Sequence, residues 1–131
     1  MITDPIGDML ARIRNAITAG HPALEIPSST MKVRIADILK KQGFIDDFSV
    51  IEDKRQGILK VYLKYIAPRR SAIAGMRRES KPGRRVYVAK TGIPKVKRGL
   101  GLAIISTPRG VMVDSDAREL GVGGELLLTI W

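Results

Sequence analysis

Residues 125–131 read Glu125-Leu126-Leu127-Leu128-Thr129-Ile130-Trp131, and only Glu125 and Thr129 in that run are polar. A run this short suits a strand better than a helix, and a strand with no polar face is buried on both sides, so the segment belongs to the core. Upstream of it, Gly121-Val122-Gly123-Gly124 breaks a short helix that follows Asp114-Ser115-Asp116, with Asp116 and Glu119 at capping-box spacing. Residues 102–107 and 111–113 read as a hairpin turning at Pro108-Arg109-Gly110, preceded by a glycine-flanked basic stretch at 94–101 and by short strands near 84–90 and 72–78. The second half of the chain is therefore mostly antiparallel β with short helices.

The first half has a different rhythm. Asp4-Pro5 opens a helix, with the Asp4 carboxylate placed to accept from exposed N–H groups and Pro5 at the first helical position. Ile6, Met9, Leu10, Ile13 and Ile17 follow at helical spacing, and Gly20 ends the run. After the short apolar piece 23–27, Ser28 or Ser29 caps a second helix reaching about Gln42, with Val33, Ile35, Ile38 and Leu39 inward and Gly43 beyond its end. Residues 44–52 and 58–66 are strands around the turn Asp53-Lys54-Arg55-Gln56-Gly57, and in the second of them Leu59, Val61, Leu63 and Tyr65 alternate with Lys60, Tyr62 and Lys64. The order is αβαββ. We expect an α+β protein of two small packed domains, 1–66 and 72–131, joined by a linker at 67–71 where composition shifts and Pro68 biases the backbone towards extended forms.

Length and composition agree. The 131 residues are 44% hydrophobic with a mean hydropathy of -0.01, the profile of a folded chain rather than a disordered one. Domains of this size are marginal alone, which is why two should pack together. Without cysteine there is no disulfide framework, thiolate metal site or cysteine nucleophile. No apolar run approaches bilayer-spanning length, and the opening Met1-Ile2-Thr3-Asp4-Pro5 lacks a basic region followed by an apolar one, so a cytoplasmic protein with no membrane partner is expected.

The formal charge is +10, and its placement says more than its size. Residues 68–99 hold eleven Lys or Arg and one acid, Glu79, so this stretch carries the whole net charge while the twelve bases and twelve acids elsewhere cancel. A solvated basic linker would explain such a run. Against that, apolar residues recur at strand-like spacing (Ile73, Met76; Val86, Val88), Tyr87 sits among the cations, and glycines supply turns. Arg84, Arg85 and Lys97 on short strands and loops would make a cationic surface for phosphates, with counterion release driving affinity.

Other chemistry is weakly supported. His21 lies in a loop without carboxylates at ligand spacing, Asp46 and Asp47 are adjacent strand residues pointing to opposite faces, and Asp114 and Asp116 have a capping role. We expect no catalytic residue, metal or cofactor. The distinctive constellation is Ser106-Thr107-Pro108-Arg109-Gly110 together with Gly121-Val122-Gly123-Gly124-Glu125. Hydroxyls at a strand end can meet bases, sugars or phosphates, glycines allow close approach of a partner, and Glu125 would accept from base amino groups or hold neighbouring hydroxyls. A hairpin turn with locally satisfied Ser and Thr, and a glycine corner between helix and strand, explains the same residues.

The opening Asp4-Pro5-Ile6-Gly7-Asp8-Met9-Leu10-Ala11-Arg12-Ile13-Arg14-Asn15-Ala16 closely resembles that of the bacterial small-subunit ribosomal protein eight family. So does the run Gly99-Leu100-Gly101-Leu102-Ala103-Ile104-Ile105-Ser106-Thr107-Pro108-Arg109-Gly110-Val111-Met112, with Gly123-Gly124-Glu125-Leu126 and Trp131. The resemblance implies a structural constituent of the small ribosomal subunit that binds an irregular helix in the central domain of its ribosomal RNA and assists folding and assembly. Carried onto this chain, it implies a principal RNA surface of Ser106, Thr107, Tyr87, Gly123, Gly124 and Glu125, and a secondary one of Asp4, Arg12, Asn15 and Lys32. It also implies neighbouring small-subunit proteins as partners, a chain monomeric when free, and an alternative role as an autoregulator binding its own operon messenger RNA. Pro108 departs from the family's common Ser-Thr-Ser loop, removing a hydroxyl and an N–H. A DNA-compacting protein would share the charge, and a nuclease would need metal-dependent turnover through Asp114 or Asp116.

Overall fold

The computed structural model describes residues 4–131, so the leaderless reading of Met1, Ile2 and Thr3 lies outside the described residues. The protein is α+β, and its residues gather into two compact units. One is Asp8–Ile73; the other joins the residues up to Gly7 with Ala74–Trp131.

Helix α1, Pro5–Ala19, starts as its sequence requires: the Asp4 carboxylate accepts from the Gly7 N–H at 3.1 Å. A Cβ on Gly7 would fall 2.5 Å from that carboxylate, so glycine here makes room for the cap. Met9, Leu10, Ile13 and Ala16 form the buried stripe. Strand β1, Ala23–Pro27, leads to helix α2, Thr30–Lys41, whose N-cap is Ser29, accepting from the Lys32 N–H. Ile35, Ala36 and Leu39 are buried, whereas Val33 and Ile38 are only half-buried. Strands β2, Ile45–Ile51, and β3, Ile58–Leu63, complete an antiparallel sheet in the order β1-β3-β2, with α2 packed on β2 and β3. Leu59, Val61 and Leu63 face inward as the alternation predicts.

The predicted strand 58–66 divides at Lys64. Tyr65–Ala67 is β4, paired with β5, Arg70–Ser71, so the stretch read as a linker holds a short two-stranded ribbon that turns through Arg69 at φ 61.

The other unit is built around β10, Gly124–Ile130. Its neighbours are β6, Met76–Arg78, and β7, Tyr87–Val88, on one side and β8, Leu102–Thr107, on the other, with β9, Gly110–Val113, beyond β8. Leu126, Leu127, Leu128, Thr129 and Ile130 are all buried, as the absence of a polar face predicts. One face carries Ala103, Ile105 and Leu126, covered by Ala117 of helix α3, Asp114–Leu120, and by Val88, Met112 and Val122. A bulge interrupts β10: Leu126 pairs Ile105 while Leu128 pairs Ile104, leaving Leu127 as the extra residue. Its carbonyl is not orphaned, because the N–H groups of Glu79 and Ser80 and the Arg78 guanidinium all donate to it.

The expected capping box of Asp116 and Glu119 is not formed. Helix α3 begins two residues earlier, at Asp114, whose carboxylate accepts from the buried Ala103 N–H at 3.1 Å and from Arg118. A sheet N–H that needed a partner captured the acid and set the helix start. Among the described residues, no helix is long and apolar enough to cross a membrane.

If β10 is the centre of the unit, shortening its inner side chains must be costly. Leu128→Ala is expected to lower stability by about 2–5 kcal/mol, read as a shift of the urea midpoint at unchanged slope. A loss within experimental error would contradict the central placement of this strand.

Candidate nucleic-acid interface

Sheet register brings together residues far apart in sequence. Tyr87 on β7 is paired with Glu125 on β10, Glu125 with Ser106 on β8, and Ser106 with Val111 on β9. Directly paired residues project from the same face, so Tyr87, Glu125 and Ser106 form one row across three adjacent strands. The row lies on the face opposite Ile105 and Leu126, the residues packed towards α3. Tyr87 is 70% exposed, which leaves its ring free to stack. The Ser106 hydroxyl has no hydrogen-bond partner among the described residues, whereas Thr107 is occupied: its Oγ1 donates to the Gly110 carbonyl at 2.8 Å and accepts from the Arg109 N–H at 3.1 Å. Pro108, with no N–H and a fixed φ, occupies the first loop position of this turn.

Gly123 and Gly124 have a role inside the sheet. A Cβ on Gly124 would lie 2.1 Å from the Ser106 carbonyl oxygen, and one on Gly123 would lie 2.3 Å from the Val88 carbonyl oxygen. The backbone that approaches these glycines is the protein's own, and their lack of side chains lets β7, β10 and β8 close up beneath the row.

Glu125 is held from one side. Its Oε2 accepts from the Ser80 hydroxyl and from Arg85 at 3.1 Å. Sequence reasoning passed over Ser80, which is wholly buried; the only signal was its place before the turn residues Pro82 and Gly83. That turn is tight, with Lys81 and Arg84 exchanging backbone hydrogen bonds at 3.0 and 2.9 Å, and it leaves Lys81, Arg84 and Arg85 exposed around its tip.

Lys97 sits in a short 3-10 segment, Val96–Gly99, where Lys97 and Arg98 adopt left-handed backbone at φ 49 and 56. Each such residue costs roughly 1–2 kcal/mol. The segment is held by the Gly101 N–H donating to the Val96 carbonyl at 3.0 Å, and the Lys97 ammonium lies 4.7 Å from the Trp131 ring centre.

Of the remaining sequence-predicted residues, Arg12, Asn15 and Lys32 lie on the helices of the other unit, whereas Asp4 belongs to the unit of β10. Arg12 and Asn15 are exposed on α1, Arg12 paired with Asp8 at 2.9 Å. Lys32 is buried in α2, and its ammonium donates to the Pro27 carbonyl at 2.9 Å, so that charge is turned inward. Asp4, besides capping α1, accepts from the largely buried Arg78.

In each acid pair one member has a local cationic partner, Asp114 with Arg118 and Asp47 with Lys40. Asp47 pairs with Lys40 at 3.0 Å, and that hydrogen bond, with the Phe48 N–H, holds its carboxyl below the ordinary value. Among the described residues no group of three His, Asp or Glu side chains could hold a metal ion.

Fold and surface together define an α+β protein with a hydroxyl-bearing sheet end set among exposed cations. Residues 4–131 match the family model described as ribosomal protein S8. The chain is 57% identical over 130 residues to the small ribosomal subunit protein uS8 of Geotalea uraniireducens, covering 99% of this chain and 98% of that one. It is 55% identical to the protein of the same name from Geobacter sulfurreducens, with the same coverage, and 52% identical over the full length of both chains to that of Thermosipho africanus. The chain belongs to the ribosomal protein S8 family.

The glycine contacts make a direct prediction. Gly124→Ala is expected to destabilise by about 1–3 kcal/mol and to shift the amide resonances of Ser106 and Thr107, because its methyl must displace backbone. Gly83→Ala, with nothing within 4 Å of the added carbon, should change stability by less than about 0.5 kcal/mol. Equal responses would show that the close approach at Gly124 is not what glycine is there for.

Proposed function

We propose that this chain is a non-enzymatic constituent of the small ribosomal subunit in the cytoplasm, binding the central domain of small-subunit ribosomal RNA and assisting its folding. Family membership and the relatives' shared name, small ribosomal subunit protein, support the ribosomal setting. Neighbouring small-subunit proteins are its other partners, and when free it is a monomer. The observation that carries the RNA reading is the row Tyr87, Glu125, Ser106, assembled by sheet register beside a stretch carrying the entire net charge.

The two layers divide the work. Exposed Arg84 and Lys97 position the protein on phosphates, while Arg85 is shared with Glu125. The left-handed backbone at Lys97 fits a group held in place for a partner. Ser106 has a free hydroxyl to donate or accept, Tyr87 stacks on an unpaired base or sugar, and Glu125 accepts from a base amino or imino group. Thr107, Gly123 and Gly124 shape the surface from within, Thr107 by closing the β8–β9 turn and the glycines by letting the strands close up. Such groups need an irregular helix, because the major groove of regular A-form RNA is too narrow to read. Arg12, Asn15 and the α2 region around Lys32 form a secondary surface, in which Lys32 acts by shaping the helix start from inside.

Titration of a central-domain ribosomal RNA fragment at several salt concentrations tests this reading. With roughly five to seven phosphates neutralised, log affinity should fall with log salt at a slope of about −4 to −6. Ser106→Ala is expected to weaken binding to the fragment by about 1–3 kcal/mol with the slope unchanged. Arg84→Ala should weaken binding to the fragment and to a perfect duplex alike and reduce the slope by about 1. Equal affinity for fragment and duplex in the unaltered protein would overturn the proposal.

A further inference from the structure

We propose that Ser80 is a positioning residue that aims the Glu125 carboxylate at the RNA; this rests on the reading of Glu125 as a base acceptor. Ser80 has no exposed surface, so it cannot touch RNA itself. Its hydroxyl has one proton and two acceptor lone pairs, and the proton and one lone pair are committed. The Val86 N–H donates to Ser80 Oγ at 3.1 Å, closing the excursion 81–85 at its base, and the hydroxyl proton goes to Glu125 Oε2. The Val86 N–H takes one lone pair, and the Glu125 carboxylate, the acceptor within reach, directs the hydroxyl proton to Oε2.

The backbone fixes Ser80 as firmly. Its N–H and that of Glu79 both donate to the Leu127 carbonyl at the bulge, two residues beyond Glu125 on the same strand. The hydroxyl therefore reaches Glu125 from a support anchored on β10 itself. Arg85, the second partner of Oε2, is 47% exposed, and an exposed arginine alone would hold the carboxylate loosely. Ser80 supplies the rigid half of the grip.

The consequence lies at the other oxygen. Glu125 Oε1 has no hydrogen-bond partner among the described residues, and neither has the Ser106 hydroxyl on the paired strand. With Oε2 saturated, the row presents one pure acceptor in a fixed direction beside one group that donates or accepts. An exocyclic amino or ring imino group of an unpaired base meets that acceptor; a carbonyl or phosphate oxygen is repelled by it. In this arrangement Ser80 controls selectivity, and Arg85 is free to exchange between the carboxylate and a phosphate.

A double-mutant cycle tests the assignment, using the full chain, a central-domain ribosomal RNA fragment and a perfect duplex of equal length. Glu125→Gln keeps the shape of the side chain and is expected to lower affinity for the fragment about tenfold, with little change for the duplex. Ser80→Ala should lower affinity for the fragment by a similar factor at unchanged salt slope, and should add almost nothing in the Glu125→Gln background. That non-additivity separates positioning through Glu125 from a general structural loss, which would add in both backgrounds and weaken duplex binding too. If Ser80→Ala does not fold, Ser80→Cys, close in size and a weaker donor, enters the same cycle. Additive losses, or no loss with Ser80→Ala while Glu125→Gln weakens binding, overturn the role of Ser80. No effect of Glu125→Gln overturns instead the reading of Glu125 as a base acceptor.

Discussion

The C-terminal unit depends on one strand with no free edge, whose residues from Leu126 onward have no free face. Strand β10 is hydrogen-bonded on both sides, and five consecutive residues from Leu126 to Ile130 are withdrawn from water. Buried apolar side chains contribute roughly 1.5–3 kcal/mol each relative to exposure, so this segment supplies a large share of what a small unit can gather. Everything at the candidate interface is positioned relative to it. Tyr87 and Ser106 are neighbours of Glu125 only through β10, and Ser80 is attached to it through the Leu127 carbonyl.

A chain of +10 must keep its cations in contact with water in the folded state, and the arrangement around β10 does so. The interior is aliphatic, while Lys81, Arg84, Arg85 and Lys97 lie at turn tips or on short exposed segments. In this unit Arg78 departs from the pattern, largely buried and compensated by Asp4. Its guanidinium also donates to the Leu127 carbonyl, so the pair joins the cap of α1 to the sheet's bulge within the same unit. A buried ion pair of this kind contributes less to stability than to fixing a geometry, because desolvation offsets much of the attraction.

Much of the fold was legible because its signals are local. Asp4 and Ser29 act as the caps their sequence context suggests, and β3 follows its alternation. What escaped depends on partners distant in sequence. The start of α3 is set by a sheet N–H at Ala103 that no reading of 114–120 could anticipate. The bulge at Leu127 is hidden because three consecutive leucines look the same to any periodicity. Of the interface, Tyr87, Ser106 and Glu125 were visible as candidates, yet their alignment is a property of register. Gly124, read as space for a partner, is needed first by the protein's own backbone, and Ser80 was missed because a single buried serine carries no compositional signal.

The extra residue at Leu127 also settles a matter of parity. Glu125 and Leu128 are three positions apart, an odd spacing that in an uninterrupted strand sends them to opposite sides. Here both face the same way, aligned with Ser106 and Ile104 on the regular neighbouring strand. The inserted leucine thus works as a half-twist that lets one ribbon be wet at its beginning and dry at its end without changing sides. A version of this protein one residue shorter between Glu125 and Leu128 would have to give up either its hydrophilic lip or its oily floor.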